Sequence, residues 1–549
     1  MAIGSRSSAI ELRPPWARWL MPSASDAIFV ALLAVLMMST VSVRLLGDAG
    51  IGWHIRTGQF IVSARAIPRV DPFSSSMSGH PWFAWEWLYD LIVGGLENAA
   101  GLNGVIAFTG FIIALTFAWT FRLLLRREVN LFLSLVLVLL AASASMIHFL
   151  ARPHVLTWLF TVAWFWALDS TEHGSSENWK LWLLPLTMLL WVNLHGGFLV
   201  GFVLLAIYWV GAAWQFFTLN EGRFDDALAK IRAARSIRSL TVIGVLSAAA
   251  TFVNPYGLQL HIHIYRYLSN RFLMDHIDEF QSPNFHYVAQ KCFAGLLLLS
   301  LLALATRRRE VSVTHGLVLL FAVYSGLYAS RNIPVSSLLI VLVIGPWLSD
   351  AIEKYAASRG RKIPAPRQPP LPSFLERMSA IELSLCGHLW PIAATLLIVW
   401  MAAHNGKIGV TTLMDAHFNP RRFPMKAVDY LEAHNLPGPI MSTDSWGGYL
   451  IYRLYPRVCT VLDDRHDFYG EKFFESYLKM VRVEPGWQDF LQQHHASSVI
   501  VPKNSALANM LDESRGWRPI YGDDTAVVFA LNDSAPQPRS EPMLQNPSH

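Results

Sequence analysis

The residues of this chain best suited to chemistry crowd into one stretch, GDAGIGWHIRTGQFIVSARAIPRVDPFSSSMSGHPWFAWEW, at 47–87. It holds Asp48, Trp53, His54, Arg56, Asp71, His80, Trp82 and Glu86. A positioned carboxylate takes the proton from an attacking hydroxyl. Arginine and histidine offset the charge of a departing phosphate, and indole faces stack on sugar rings. These are the groups that glycosyl transfer from a lipid-linked donor requires. Asp48 and Asp71 are the candidate bases, and Trp53, His54, Arg56 and Glu86 are candidates for holding substrate. A structural reading competes: Asp71-Pro72-Phe73-Ser74 has the composition of a turn, and the tryptophans suit a membrane interface.

Further short polar words follow at the ends of apolar runs: Arg152-Pro153-His154, Asn193-Leu194-His195-Gly196-Gly197, Asn254-Pro255-Tyr256-Gly257 and Ser330-Arg331-Asn332. Arg152 and Arg331 are placed to grip a phosphate, in competition with simple snorkelling to the interface. His154, Asn193 and His195 are candidate cavity residues, in competition with satisfied helix-end roles. A last set, Asp444 and Asp463-Asp464-Arg465, follows strand-like runs near the C-terminus, where open α/β sheets bind ligands. There the bland reading is helix capping and domain bracing. The chain carries no Walker loop, G-x-S-x-G or H-E-x-x-H.

The elements that must position these residues are membrane helices. Of 549 residues 53% are hydrophobic and only 15% charged, against about 25% charged in soluble domains. Mean hydropathy is +0.34. Apolar runs place eleven spans at about 26–46, 103–121, 130–150, 154–169, 180–193, 197–217, 239–253, 291–305, 312–328, 333–348 and 387–404. The apolar but acidic segment 85–101 reads as a helix in the interface. The first span reads as a signal anchor, being too long for a cleaved signal peptide.

Connections between spans alternate in kind. Basic ones at 122–128, 223–238, 306–310 and 354–368 alternate with those carrying the polar words. Lys and Arg mark the cytoplasmic side, so the N-terminus is cytoplasmic and the polar words collect on the exoplasmic face. The expected organisation is a transmembrane module, 1–404, including the first exoplasmic loop 47–101. A small exoplasmic α/β domain follows at 405–532, then a polar, Pro-rich disordered tail at 533–549. In that domain PIMST and SSVIVP read as strands separated by helices, which predicts a mostly parallel sheet. RPIYG and TAVVFAL read as an antiparallel pair. The three cysteines, Cys292, Cys386 and Cys459, have no metal-ligand spacing. The formal charge of +5 is explained by attraction to anionic lipid, and no nucleic-acid partner is expected.

A first helix, a long acidic exoplasmic loop, many spans and a terminal soluble domain resemble the GT-C superfamily of membrane glycosyltransferases. More narrowly, the chain is similar to a bacterial group of uncharacterised GT-C-like proteins. The likeness rests on D-x(4)-W-H-I-x-T-G (48–58), I-P-x-x-D-P-F-S (67–74), E-W-L (86–88), R-P-H, N-x-H-G-G, N-P-Y-G, R-N-I-P (331–334), W-G-G-Y-L-I (446–451) and D-D-R-x-D-x-Y-G (463–470). The resemblance implies inverting transfer of a sugar from a polyprenyl-phosphate donor to an exoplasmic acceptor, in a bacterial cytoplasmic membrane, with Asp48 as the loop carboxylate. The superfamily often carries two adjacent acidic residues at that place, whereas Ala49 follows Asp48, so the paired-carboxylate metal site is not carried over. A divalent cation stays open as cofactor, and no nucleotide or redox group is expected. Two other classes stay open: a transporter or flippase for a lipid-linked or glycan substrate, and a non-catalytic envelope assembly protein. Transporters place charge near the midplane and repeat their helices; here the words gather at one surface and no repeat is visible.

Overall fold

A computed structural model of the chain describes residues 16–172, 179–219, 224–307, 310–360, 371–385, 387–436 and 438–532. The tail at 533–549, residues 361–368 of the basic linker, Arg6, Arg13, Arg223 and Cys386 lie outside them. The chain divides into two compact units. One comprises residues 1–48, 54–68 and 83–417, the other residues 49–53, 69–82 and 418–549.

The first unit is helical. Helix Ala24–Met37 opens on a capping box. The Ser23 hydroxyl accepts from the Asp26 backbone N–H at 3.0 Å, and the Asp26 carboxylate accepts from the Ser23 N–H at 2.9 Å, which satisfies two donors that a helix start leaves open. The single span expected at 26–46 is broken: Met38 is extended, and the chain resumes as helix Ser39–Leu45. The interfacial segment and the second span are one helical run, Trp87–Arg126, interrupted at Ala100 and Gly101. Gly101 takes φ +59° there, a conformation that glycine adopts without steric cost.

Six described helices are long and apolar enough to cross a membrane, or seven if the bent pair Met378–Ser384 and Leu389–Ala403 is one span. The remaining runs of the expected eleven are helical but do not meet that measure. Trp179–Leu194 and Val313–Tyr328 have 16 residues each, about 24 Å at 1.5 Å per residue, short of a hydrocarbon core of about 30 Å. The basic stretch 223–238, expected as a connection, is instead largely the first half of helix Phe224–Ala250. One inter-helix brace is polar. Asp169 on helix His154–Glu172 is paired with Arg127 and accepts from His315 at 2.8 Å and from Tyr208 at 3.2 Å.

The second unit holds a four-stranded sheet in the order 440–442, 498–502, 526–531, 517–522. Only the first pair is parallel; the other two are antiparallel. The sheet is therefore mixed, not mostly parallel. The 517–522 and 526–531 pair forms as the sequence predicts, because residues 523–525 let the chain return directly. Residues 458–463, the β-rich run VCTVLD, make no regular strand. Its Thr460 forms isolated bridges to Ile440 and Ser74, and its carbonyl accepts from the Ser75 N–H at 2.8 Å.

Candidate active site

In the first unit, the 54–64 part of helix Gly50–Ala64 crosses the start of helix Trp87–Arg126 at Gly58 and Gly94. A β-carbon on Gly94 would stand 2.8 Å from the Gly58 backbone, so only glycine permits this approach. Four residues earlier in each helix His54 and Asp90 meet, with Nδ1 and Oδ1 2.5 Å apart and both side chains buried. Glu86 lies just before the helix start. Its carboxylate stands 3.8 Å from His54 Nε2 and 3.7 Å from His195 Nε2.

His195 is held by its neighbours. The Gly197 N–H donates to its Nδ1 at 3.0 Å, and Thr157 Oγ1 lies 2.8 Å from the same atom. Thr157 in turn accepts from the Trp191 indole. With Nδ1 accepting, the neutral ring carries its proton on Nε2, facing Glu86. Burial, reinforced by the Arg331 cation, lowers the His195 pKa to about 3. The ring is therefore an uncharged donor at any ordinary pH.

His195 also lines a cavity of about 390 Å³ with His148, His154, Glu279, Arg331 and Asn332 on its polar side. Trp85, Trp158, Tyr267, Leu268, Phe280 and Tyr328 are among its apolar liners. This is the mixture a lipid phosphate needs, with apolar walls for the chain and donors for the head. Arg331 lies over the Phe280 ring, 4.5 Å from its centre. Glu279 Oε1 stands 3.9 Å from both Arg331 and Arg152. Arg152 also pairs with Asp48, Nε to Oδ1, at 3.1 Å. Burial alone would raise the Glu279 pKa; Arg331 and then Arg152 outweigh it and hold this carboxyl well below the usual range.

Thus Asp48, Arg152, Arg331, His154, His195, Glu86 and His54 form one connected cluster in the first unit. Two other candidates there have different partners. Asn193 accepts from the Trp87 indole at 2.8 Å and donates to the Leu189 and Val253 carbonyls. Arg56 donates to Gln59 at 2.9 Å. Glu279, His148 and Asp90 join the cluster without having been singled out in the sequence. The acidic pair Asp278-Glu279 between two apolar runs was the available signal for the first; His148 and Asp90 lie within apolar runs that hide them.

The second unit gathers the remaining candidates around one cation. Arg465 is buried, and its Nε and Nη2 donate to Asp463 at 2.8 and 2.7 Å. Its Nη2 also pairs with Asp71 at 2.9 Å. The rings of Trp82, Phe468, Phe73 and Trp53 surround it at 4.5, 5.1, 5.4 and 5.9 Å. Burial would lower the Arg465 pKa, but Asp463 and then Asp71 raise it well above the usual value. The Asp71 carboxylate accepts from the Phe73 and Ser74 N–H groups at 3.2 and 2.9 Å, and from the Ser74 hydroxyl. Tyr469 donates to Asp463 at 2.9 Å, and the Trp53 indole to Asp464 at 3.0 Å. Asp444, at the start of helix Asp444–Leu454, accepts from Tyr477 at 2.9 Å and lies 3.0 Å from His466 Nε2.

Among the described residues no group of three or more His, Cys, Asp or Glu side chains is placed to hold a metal ion. The described residues thus do not supply the donor set of a divalent-cation site.

No family model matches the sequence, and no curated protein matches it. Solved structures do. The chain is similar to the Archaeoglobus fulgidus oligosaccharyltransferase in the apo form, with TM-score 0.52 and 11% identity over 93% of this chain and 74% of that one. It is similar to the archaeal oligosaccharyltransferase AglB from Archaeoglobus fulgidus in complex with an inhibitory peptide and a dolichol-phosphate, with TM-score 0.52 and 12% identity over the same shares. The same oligosaccharyltransferase tethered to an acceptor peptide containing the NVT sequon matches with TM-score 0.51 and 14% identity, over 88% of this chain and 70% of that one. At such identity the likeness is one of fold. The chain shares the fold of this oligosaccharyltransferase over most of its own length.

Proposed function

From a GT-C fold as premise, we propose that this chain is a membrane glycosyltransferase. It moves a sugar from a polyprenyl-phosphate donor to an exoplasmic acceptor, with inversion. One observation carries the reading: Asp48 is ion-paired to Arg152, which reaches the same Glu279 as the cavity residue Arg331. A candidate base and two phosphate-type cations thus share one cluster beside an amphipathic cavity.

The chemistry follows from the charges. The donor phosphate sits at Arg331 and Arg152, whose planar forks match phosphate oxygens, and its hydrocarbon tail lies along the apolar wall. The acceptor hydroxyl attacks the anomeric carbon from the face opposite the phosphate. The C–O bond to phosphate breaks, and the electron pair leaves on the phosphate. Asp48 takes the hydroxyl proton. The arginines gain more from the departing phosphate than from the bound donor, because charge grows there as the bond breaks. His195 contributes a neutral Nε2–H on the side of Glu86. In this reading Asp71, with Asp463 and Arg465, braces the second unit.

We also propose that residues 47–101 and 405–549 lie exoplasmic, opposite 122–128, 223–238 and 354–368, in a bacterial cytoplasmic membrane. Cysteines introduced at Ser75 and Ser358 should label from opposite sides, and labelling from one side would overturn the orientation. The decisive test of the activity is mass spectrometry of glycans and lipid-linked sugars from cells with and without the protein. A lipid-linked sugar that accumulates, together with a glycan that disappears, is the expected result. Unchanged profiles in both pools would remove the transferase reading.

A further inference from the structure

The cavity cluster holds two arginines and two carboxylates: Arg152 and Arg331 against Asp48 and Glu279. Among these four the charges balance before any phosphate arrives. A phosphate entering such a site must displace a carboxylate or bind against its repulsion. The two carboxylates are not held equally. Asp48 lies 3.1 Å from Arg152, whereas Glu279 stands 3.9 Å from each arginine. Glu279 sits on the short turn Asp278–Phe280, tied down through its own carbonyl, which accepts from the Ser330 hydroxyl at 3.1 Å, and through the Gln281 carbonyl, which accepts from the Ser330 N–H at 2.9 Å. The backbone is thus fixed beside Arg331 while the side chain is loosely paired. Glu279 also lines the cavity.

Substrate and product differ in charge at this spot. A sugar-bearing lipid phosphate is a phosphodiester with one negative charge. The lipid phosphate left after transfer is a monoester, carrying nearly two charges at neutral pH. A fixed carboxylate within the phosphate site repels the second more than the first. We propose that Glu279 is a specificity-determining residue: it stands in for the phosphate between Arg152 and Arg331 and biases the site toward the monoanionic donor, so that the dianionic product is expelled. This rests on the reading of the cavity as the lipid-phosphate site. Its consequence is turnover without product inhibition, in a membrane where spent lipid phosphate cannot diffuse into water.

The test uses the full chain in lipid nanodiscs and two probes, a short-chain polyprenyl phosphate and its methyl phosphodiester, with binding read by tryptophan fluorescence at pH 7.5. Glu279→Gln should tighten the monoester by about tenfold and the diester by about threefold or less, the larger gain following the larger charge. Glu279→Asp, which keeps the charge, should hold the wild-type ratio of the two affinities. Arg331→Ala should weaken both probes. If Glu279→Gln weakens both probes, leaves both unchanged or tightens both equally, the discriminating role is wrong. If Arg331→Ala changes neither, the cavity is not the phosphate site and both readings fall. If Glu279→Gln lowers the melting temperature, Glu279→Asp and Glu279→Ala decide the matter: an unchanged ratio in the alanine variant overturns the proposal.

Discussion

Two arginine sites in this molecule use the same pair of charges to different ends. Arg465 is sealed. Two carboxylates grip it at 2.7–2.9 Å and four aromatic rings enclose it. Arg331 is over a quarter exposed, lines a cavity and meets its carboxylate only at 3.9 Å. A buried pair with good geometry gives up its charges to each other and has nothing left for a ligand, while breaking it strands a charge in a dry place. A loose, partly wet pair contributes little to stability and can exchange its partner. Arginine beside carboxylate therefore does not mark a substrate site; distance and access decide between brace and grip.

That contrast is sharpest under mutation. Arg465→Ala strands Asp71 and Asp463, so it should lower stability by about 3–5 kcal/mol, read by chemical denaturation of the full chain. Arg465→Lys should recover little, because it loses the fork. A mild effect would dissolve the distinction between the two sites. Next in size, Asp48→Asn should lower transfer by about 10²-fold or more with the melting temperature kept, since amide replaces carboxylate at equal size. Near-normal turnover would remove Asp48 as base. Arg331→Ala should weaken binding of a polyprenyl-phosphate probe by about tenfold, the loss of one charge-assisted contact, and leave melting within a degree or two. Arg331→Lys should restore it only in part. Early melting with normal binding would make Arg331 a second brace.

The expected effects of pH are the most gradual, and they have opposite signs in the two units. The His195 pKa is depressed in the fold to about 3, from the usual 6.5, so the unfolded chain binds the proton more readily. Stability of the first unit should fall as pH drops below 6.5, by up to about 1.4 kcal/mol per unit, and His195→Gln should flatten that limb. His466 behaves in the reverse way. Burial would lower its pKa, but the Asp444 carboxylate raises it above 6.5. Its contribution is complete below pH 6.5 and is lost as pH rises through the raised value. Asp444 itself is depressed below 3.8, His466 overcoming its burial, and its share is lost only in stronger acid. His466→Asn should remove the alkaline limb in hydrogen exchange of helix Asp444–Leu454. Limbs of the same sign in both units would break the comparison.

Much of the architecture was readable because hydropathy and turn chemistry are local. The first apolar helix from about Asp26 and the hairpin around Asp523-Asp524 needed no tertiary information. The interruption at Gly101 coincides with the place where the apolar pattern changes. What was not legible depended on context. Whether a 16-residue helix spans a bilayer is set by neighbours and tilt, which composition does not encode. The mixed sheet arose because strand 526–531 inserted between 498–502 and 517–522, and pairing order is a long-range property. For the candidate site, residue type was informative and partnership was not. Asp48 and Asp71 look alike in sequence, each an acid of the same 47–87 stretch. Only the fold reveals that Asp71 faces a fixed cation across almost four hundred positions in the chain, at Arg465. Glu279 escaped notice because its importance lies in standing between two arginines far from it in sequence.

The crossing at Gly58 and Gly94 carries an evolutionary consequence. A methyl group on either residue has nowhere to go except into the opposing backbone, and backbone does not repack as side chains do. The two helices would have to part by an ångström or more, and the contact between His54 and Asp90 would open with them. Neither glycine touches any reacting group in the proposed mechanism. Both should nevertheless be among the least interchangeable positions in a saturation library selected for function, while the histidine and aspartate they bring together should drift only as a pair.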